Sequence, residues 1–256
     1  MRLRRILTVA AIVAGLGAGV EACKPAFNAA TFADVETLFK AAMKEYNAKH
    51  YDNSAKAFER LTTELPARDP RVPLAYFYLA KSQEKSGDRL LAAKSYSRIY
   101  EQFPEDTLAD DGLYLSGLAY EAMWRKPELD AEYGQSALTQ FQTLQALYPN
   151  SSFVPKANVQ LSKLDEWFAK KDYLTGTHYL KRKAFDSAII YFKDVIRLHP
   201  AAPITRDAYL RLHDAYVAIN YKDDARDLCD NMRKAYPSDR DVLRECGAGA
   251  APVATK

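Results

Sequence analysis

The sequence has few of the residues from which catalytic and metal sites are usually built. Its 256 residues include only four histidines and three cysteines, and no histidines show the His-Glu-x-x-His spacing of a zinc site. It contains neither a Cys-x-x-Cys pair nor a glycine-rich phosphate-binding loop. Gly134-Gln135-Ser136 begins like the nucleophile elbow of a hydrolase but lacks the closing glycine. The sequence therefore predicts no catalytic residue, no metal site and no cofactor, and hence no enzyme.

The N-terminal apolar run is too short for a comfortable membrane span. It extends from Ile6 to Val20, whereas a transmembrane helix needs about 20 apolar residues. Three arginines precede it, and Val20-Glu21-Ala22 leads into Cys23. A basic start, a short apolar stretch and a small-residue cleavage site are typical of a secretory signal peptide. We predict that residues 1–22 are removed.

Two forms of cleavage fit the segment Val20-Glu21-Ala22-Cys23. The segment resembles a bacterial lipoprotein signal, in which the cysteine is acylated and becomes the mature N-terminus. Ordinary cleavage after Ala22 is the alternative, and Glu21 departs from the small or apolar residue usual in lipoproteins. The lipoprotein interpretation makes Cys23 the lipid-bearing residue. Lys24 is not the aspartate associated with inner-membrane retention, which implies anchoring at the periplasmic face of the outer membrane.

The charge balance gives no support for nucleic-acid binding. The first 22 residues contain three arginines and one glutamate, so the remaining chain carries 33 basic and 32 acidic side chains. A net charge near zero provides no basic footprint for a polyanion. We therefore expect no nucleic-acid partner.

Five prolines close five similar segments of the chain. They are Pro66, Pro104, Pro149, Pro200 and Pro237. Twelve residues before them stand the small residues Ser54, Ala92, Ala137, Ala188 and Ala225. Eight residues before them stand Phe58, Tyr96, Phe141, Phe192 and Cys229, and five residues before them stand Leu61, Ile99, Leu144, Val195 and Met232. Small residues allow two helices to approach, the larger ones fill the space between them, and proline ends the second helix.

The segments upstream supply the first helix of each pair. An aromatic residue or leucine is followed four residues later by a small residue, as in Leu38 and Ala42 or Tyr76 and Ala80. This pattern resembles the tetratricopeptide repeat. It predicts an all-α fold, a right-handed superhelical solenoid of five tetratricopeptide-like helix pairs with a C-terminal capping helix at Asp239–Cys246. An ordinary helical bundle with coincidental prolines is the alternative.

The third and fourth repeats are longer than the others. The closing prolines are 38, 45, 51 and 37 residues apart. We predict that Arg125–Tyr133 forms a loop between the helices of the third pair. Pro155 begins a helical stretch that should lengthen the first helix of the fourth pair.

The two remaining cysteines leave two possibilities open. Cys229 takes the position that an aromatic residue fills in the other four repeats, so it is predicted to be a small buried apolar residue. Cys246 ends the capping helix, and an oxidising compartment would permit a disulfide between them. The tail, residues 247–256, is too poor in apolar groups to fold, and we predict that it is disordered.

The segments that carry a family resemblance are Tyr148-Pro149-Asn150-Ser151, the run from Phe168-Ala169-Lys170 through Tyr179 to Arg182-Lys183-Ala184-Phe185, Thr205-Arg206-Asp207-Ala208 and Ala215-Tyr216. Together they resemble the BamD family, the lipoproteins of the outer-membrane β-barrel assembly machinery. The resemblance implies a tether at residues 23–33 and two functional halves. The repeats in residues 34–149 would contact unfolded β-barrel precursors. The repeats and cap in residues 150–246 would bind the POTRA region of a BamA-type barrel protein, with other lipoproteins of the complex as further partners.

Candidate residues can be named for both halves. In paired-helix solenoids the first helices line the concave face, where aromatic residues could hold a peptide with an aromatic C-terminus. The predicted groove residues are Phe39, Met43, Tyr46, Phe77, Lys81, Tyr114 and Leu118. The alternative is that these side chains belong to the core. The predicted partner surface comprises Tyr179, Arg182, Arg206 and Asp207. The alternative for Arg182 and Arg206 is that each pairs with a neighbouring acid of its own array.

One position departs from the family pattern. The resemblance leads us to expect an arginine in the second helix of the fourth repeat, where this chain has Tyr191. A charge contact with the partner would then be missing or replaced. A pilotin-like repeat lipoprotein that escorts a secretin or pilus component is the alternative function, although it would not share the extra length of repeats three and four.

Overall fold

The described part of the chain, residues 27–247 of a computed structural model, is entirely helical. A 3-10 turn spans Ala29–Thr31, and the helices are α1 (Val35–Asn47), α2 (Tyr51–Glu64), α3 (Val72–Ser86), α4 (Arg89–Gln102), α5 (Ala109–Glu121), α6 (Glu132–Leu147), α7 (Val154–Lys181), α8 (Phe185–Leu198), α9 (Thr205–Ala218), α10 (Lys222–Ala235) and α11 (Arg240–Cys246). No strand occurs in this range. The first ten helices form five pairs and α11 follows as a cap, so the all-α prediction is confirmed.

The periodic positions of the sequence form the core between the paired helices. All fifteen of the small, bulky and aliphatic positions that precede the five prolines are buried. Each second helix ends two residues before its proline; α2, for example, ends at Glu64, ahead of Pro66. The ring of Phe141 lies against Gly117 on the partner helix α5, where an added Cβ would come within 2.5 Å of the ring. The small residues thus allow the close helix approach that their spacing predicted.

The same turn joins the two helices in four of the five pairs. A residue with positive φ lies at its centre, and these residues are Lys49, Gly87, Lys183 and Asn220. In each case the backbone N–H of the residue that follows donates to the carbonyl of the residue five positions before it, as Ala184 does to Tyr179. This hydrogen bond belongs to the left-handed Schellman cap, which satisfies carbonyls at the end of the first helix.

The third pair has a different connection. Residues 122–131 separate α5 from α6, which agrees with the predicted loop at Arg125–Tyr133 apart from its ends. The next helix, α7, has 28 residues, and Pro155 lies in its first turn, where proline needs no helical N–H partner. The predicted lengthening of the first helix in the fourth pair is confirmed.

The segment ahead of α1 packs against the first pair. Phe27, Ala29 and Phe32 contact the apolar cluster of α1, α2 and α3, and Arg60 on α2 donates a hydrogen bond to the carbonyl of Ala29. The predicted tether at residues 23–33 therefore includes residues that pack on the array. The predicted signal, Cys23 and the predicted tail beyond residue 247 lie outside the described residues.

The cap closes the apolar core at the other end of the array. Val242 on α11 is fully buried in the cluster formed by α7 to α10. Asp239 caps α11 by accepting hydrogen bonds from the backbone N–H groups of Asp241 and Val242. Within residues 27–247, no helix combines the length and the apolar character needed to cross a bilayer.

Candidate functional site

The predicted groove residues lie on α1, α3 and α5, the first helices of the first three pairs, and all are partly buried. Phe39 meets the buried Phe58 edge to face, with ring centroids 5.6 Å apart. Tyr114 stacks on Phe153 at 4.8 Å. Met43 and Leu118 pack against separate apolar clusters. Each of these side chains therefore contributes one face to packing and leaves part of its surface accessible.

The structure brings three of the predicted groove residues together around Tyr78. The ring of Tyr46 on α1 meets Tyr78 at 5.1 Å, and Phe77 meets it at 5.8 Å. The ammonium of Lys81 lies 5.0 Å from the centre of the Phe77 ring, within the range of a cation–π contact. This aromatic group with a cation at its edge is the most compact part of the predicted groove.

A half-buried carboxylate, Asp111, lies near the same cation and was not among the predicted groove residues. Burial raises the pKa of the Asp111 carboxyl, and the neighbouring Asp110 raises it further. Lys81 and Lys156 oppose this shift. Two lysines, one of them the Lys81 that contacts Phe77, thus offset part of the burial of this carboxylate in the first turn of α5.

The predicted partner surface divides into two groups with different surroundings. Tyr179, near the end of α7, stacks on Tyr191 of α8, with ring centroids 5.6 Å apart and planes inclined by 11°. Tyr191 thus supplies aromatic surface where the resemblance led us to expect an arginine. Arg182 caps α7, is exposed, and forms no ion pair with any described residue.

Arg206 and Asp207 belong instead to an internal ionic network at the cap. Arg206 Nε and Nη2 donate to both oxygens of Asp239, at 2.9 and 2.8 Å, and Nη2 also contacts Asp241. Arg206 Nη1 donates to Asp207 at 2.8 Å. The Arg206 guanidinium holds the pKa of Asp239 down to about 2. Because these donors already bind carboxylates of the same chain, this structure supports a role for Arg206 in holding α11 rather than in contacting a partner.

The cysteines and one histidine meet beside the cap. Cys229 and Cys246 form a disulfide with Cα atoms 5.4 Å apart. A ring nitrogen of His213 lies within 4.8 Å of both sulfurs, and His213 forms a second cluster with Asp214 and Glu245. The buried His213 Nδ1 has no hydrogen-bond partner among the described residues. Thiolates are what bind metals, so the disulfide makes the sulfurs of this cluster unavailable as ligands.

A cleft lies between α5 and α7 that was not predicted from the sequence. Of the residues that line it, only Leu118 was among the predicted groove residues. The cleft has a volume of about 360 Å³. It is lined by Leu118, Glu121, Ala122, Trp124, Gln160, Lys163, Leu164 and Trp167. Trp124 belongs to the inserted connection of the third pair, and the extra length of that pair was the one signal in the sequence that pointed here.

Comparisons with known proteins agree over most of the chain. A family of outer membrane lipoproteins, YfiO, matches residues 33–230. Outer membrane protein assembly factor BamD of Xylella fastidiosa (strain Temecula1 / ATCC 700964) is 26% identical over 210 residues, which cover 78% of this chain and 70% of that protein. The assembly factor BamD of Rickettsia prowazekii (strain Madrid E) is 22% identical over 246 residues, 94% of each chain.

Solved structures of repeat proteins also align with the chain. A thermophilic TPR protein of Thermus thermophilus is 21% identical, with a TM-score of 0.35, over 84% of this chain and 98% of that one. The family match at residues 33–230 begins just before α1 and ends within α10. It therefore includes both predicted surfaces and the cleft.

Proposed function

This chain belongs to the YfiO family of outer membrane lipoproteins, and on that premise we propose that it is a non-catalytic scaffold of outer-membrane protein assembly. The observation that carries the proposal is the family match across residues 33–230, together with relatives named as assembly factor BamD. The resemblance found in the sequence is thereby confirmed at the level of the family. We further propose that Cys23 carries a lipid and holds the array at the periplasmic face of the outer membrane.

The proposed substrate surface is the row of half-buried aromatic side chains on α1, α3 and α5. The contacts of Tyr46, Phe77 and Lys81 around Tyr78 support this assignment. Aromatic rings with a lysine at their edge suit a peptide that ends in an aromatic residue and a carboxylate. β-Barrel precursors are the proposed ligands of this surface.

The proposed partner surface is the stacked pair Tyr179 and Tyr191 with the exposed Arg182. Tyrosine and arginine are enriched at the centres of protein interfaces. The partner would be the POTRA region of a BamA-type barrel protein, and other lipoproteins of the complex could join it. Arg206 and Asp207 would support this surface indirectly, because they hold the cap.

The first test is a pull-down of the tagged full-length protein from its own membranes in mild detergent, with mass spectrometry of the recovered proteins. A barrel protein with POTRA domains, recovered near stoichiometry, is the expected result. Arg182→Ala with Tyr191→Ala should reduce that recovery, whereas Arg226→Ala, which alters an exposed arginine on α10, should not. Recovery of a secretin or pilus subunit instead would replace the function with that of a pilotin-like lipoprotein.

The second test concerns the substrate surface. A photo-crosslinking amino acid at position 81 should capture the C-terminal peptide of a barrel precursor, and the same amino acid at the exposed Lys94 should not. Phe77→Ala with Tyr114→Ala should weaken this cross-linking. Because both rings also pack on apolar clusters, the helix content of the double variant must be measured by circular dichroism beside the wild type. Unchanged cross-linking in a folded variant would refute the groove assignment.

A further inference from the structure

The fifth helix pair departs from the repeat pattern at two positions that lie close together. In the first, second and fourth pairs a small residue stands 24 residues before the closing proline. In the fourth pair this residue, Gly176, packs against the ring of Phe192 on the second helix. The same two positions of the fifth pair hold His213 on α9 and Cys229 on α10. Both departures therefore introduce a side chain of a kind that binds transition metals.

A third side chain of this kind reaches the same place from the cap. Cys246 ends α11, and its sulfur, the sulfur of Cys229 and a ring nitrogen of His213 all lie within 4.8 Å of one another. Ligand atoms around a tetrahedral zinc ion lie roughly 3.5–3.8 Å apart, because Zn–S bonds are about 2.3 Å long and Zn–N bonds about 2.0–2.1 Å. Once the two sulfurs are no longer bonded to each other, small side-chain movements would bring all three atoms to these separations.

The surroundings of His213 also suit a dication. A ring nitrogen of His213 lies within 4.8 Å of carboxylate oxygens of Asp214 and Glu245. Arg211 donates to Oδ2 of Asp214 at 3.0 Å, and Arg244 donates to Oε1 of Glu245 at 3.2 Å, so each arginine contacts one oxygen of its carboxylate. A carboxylate oxygen or a water molecule can complete the tetrahedron, and two sulfurs, one nitrogen and one oxygen are a ligand set that zinc accepts.

We propose that the reduced form of this chain binds one Zn²⁺ ion through His213, Cys229 and Cys246. A dithiol reductant gives two electrons and two protons to the disulfide, which becomes two thiols while the reductant becomes a disulfide. Zn²⁺ then forms two Zn–S bonds, and both thiol protons pass to water. The three ligands come from α9, α10 and α11, so the ion links the cap to the last pair. The cap is thus held by a disulfide under oxidising conditions and by zinc under reducing ones, whatever partner the array binds.

The end of α11 provides the route for the ion. Cys246 is partly exposed, and α11 is a helix of only seven residues. The end of this helix is held by the disulfide and by Arg233, which donates to the carbonyl of Cys246 at 2.6 Å. Reduction removes the covalent link, so the end of α11 can move away to admit the ion and then close over it. Enclosure of the bound ion is typical of structural zinc sites.

Zinc uptake by the full-length protein in mild detergent, before and after reduction, is the first test. The protein is reduced with tris(2-carboxyethyl)phosphine, and alkylation of a sample checks that two thiols have formed. The reduced protein should take one equivalent of Zn²⁺ from a chromogenic chelator, and the oxidised protein should take none. X-ray absorption at the zinc edge should show two sulfur neighbours at about 2.3 Å. No uptake after reduction, equal uptake without it, or a zinc ion without sulfur neighbours would each overturn the proposal.

His213→Ala tests the imidazole ligand. Alanine is the residue that the first two pairs have at this position, Ala42 and Ala80, so the variant should fold, which circular dichroism checks. Its zinc dissociation constant should rise by more than about 100-fold, because loss of a group that only supports a ligand already costs roughly 10–100-fold. His178→Ala, which alters an exposed histidine on α7, is the matched control and should bind like the wild type. Unchanged affinity in a folded His213→Ala variant would refute the site.

Hydrogen exchange shows whether the ion holds the cap. Reduction without added metal should lower the protection of the α10 and α11 amides, Zn²⁺ should restore it, and a chelator should remove it again. In the oxidised protein neither zinc nor chelator should change these amides. A structural role of His213 in packing alone would not produce this dependence on zinc. Zinc uptake that leaves α10 and α11 unprotected would mean that the ion binds elsewhere and would overturn the inference.

Discussion

Two helix junctions of this molecule hold their charged side chains in different ways. At the cap, where α9 meets α11, Arg206 is bonded to three carboxylates, and a disulfide joins α10 to the end of α11. At the junction of α5 and α7, one carboxylate oxygen of Glu121 accepts a hydrogen bond from Lys163. Its other oxygen is buried and has no hydrogen-bond partner among the described residues. The first arrangement satisfies its own charge, which indicates a structural role. The second leaves a buried carboxylate oxygen without a hydrogen bond, so it should stabilise the fold less than the cap network does.

The largest expected effect comes from removing the covalent link at the cap. A disulfide that closes a loop of about this size, with its cysteines 17 residues apart, contributes roughly 3 kcal/mol. Cys246→Ser should lower the free energy of unfolding of the last repeat by about that amount, measured by hydrogen exchange of the α10 and α11 amides. Reductant should reproduce the loss in the wild type and add nothing in the variant. An equal loss of protection in α5 and α7 would contradict the local role.

The ionic network should contribute somewhat less. Arg206→Met keeps much of the side-chain volume but leaves Asp207, Asp239 and Asp241 without their shared cation. The side chain of Arg206 is 29% exposed, so water offsets part of the loss, and we expect a cost of about 2 kcal/mol in urea unfolding. Arg226→Met is the control, because that arginine and its partner Asp223 are 69% and 85% exposed and should change stability by less than about 0.5 kcal/mol. A loss at Arg206 no larger than at Arg226 would remove the structural role assigned here.

Acid should affect the cap and the start of α5 in opposite directions. Arg206 lowers the pKa of Asp239 from 3.8 to about 2, so its stabilisation is present above pH 3.8 and is lost as the pH falls towards 2. Burial raises the pKa of Asp111 on α5, so its charge destabilises the fold at neutral pH. This destabilisation disappears as the pH falls towards 3.8, because the carboxyl becomes protonated.

Matched amide variants measure this difference. Asp239→Asn, which keeps a good helix cap, should lower the urea midpoint at neutral pH, and its difference from the wild type should vanish near pH 2. Asp111→Asn should raise the midpoint at neutral pH and match the wild type below pH 3.8. A pH-independent difference for Asp239→Asn would show that its charge is not what stabilises the cap.

The sequence predicted the repeats far better than it predicted these junctions. Residues such as Ala92, Tyr96 and Ile99 recur at fixed offsets, and fixed offsets on a helix determine which side chains meet the neighbouring helix. The partners of Arg206 are as far as 35 residues along the chain, so no local pattern could show that Arg206 was already bonded. Gly134 leaves room for the indole of Trp124, which comes from the inserted loop, and spacing alone cannot place that loop.

The smallest expected effect gives the sharpest test of the contrast between the cap and the junction of α5 and α7. Glu121→Met makes the same kind of replacement at the cleft that Arg206→Met makes at the cap. It removes a buried oxygen without a partner and leaves Lys163, which is 53% exposed, to water. The two changes should nearly cancel, so we expect the free energy of unfolding to change by less than about 1 kcal/mol, measured by urea unfolding beside Arg206→Met. If Glu121→Met costs as much as Arg206→Met, Glu121 stabilises the fold as strongly as Arg206 does, and the contrast between the two junctions is wrong.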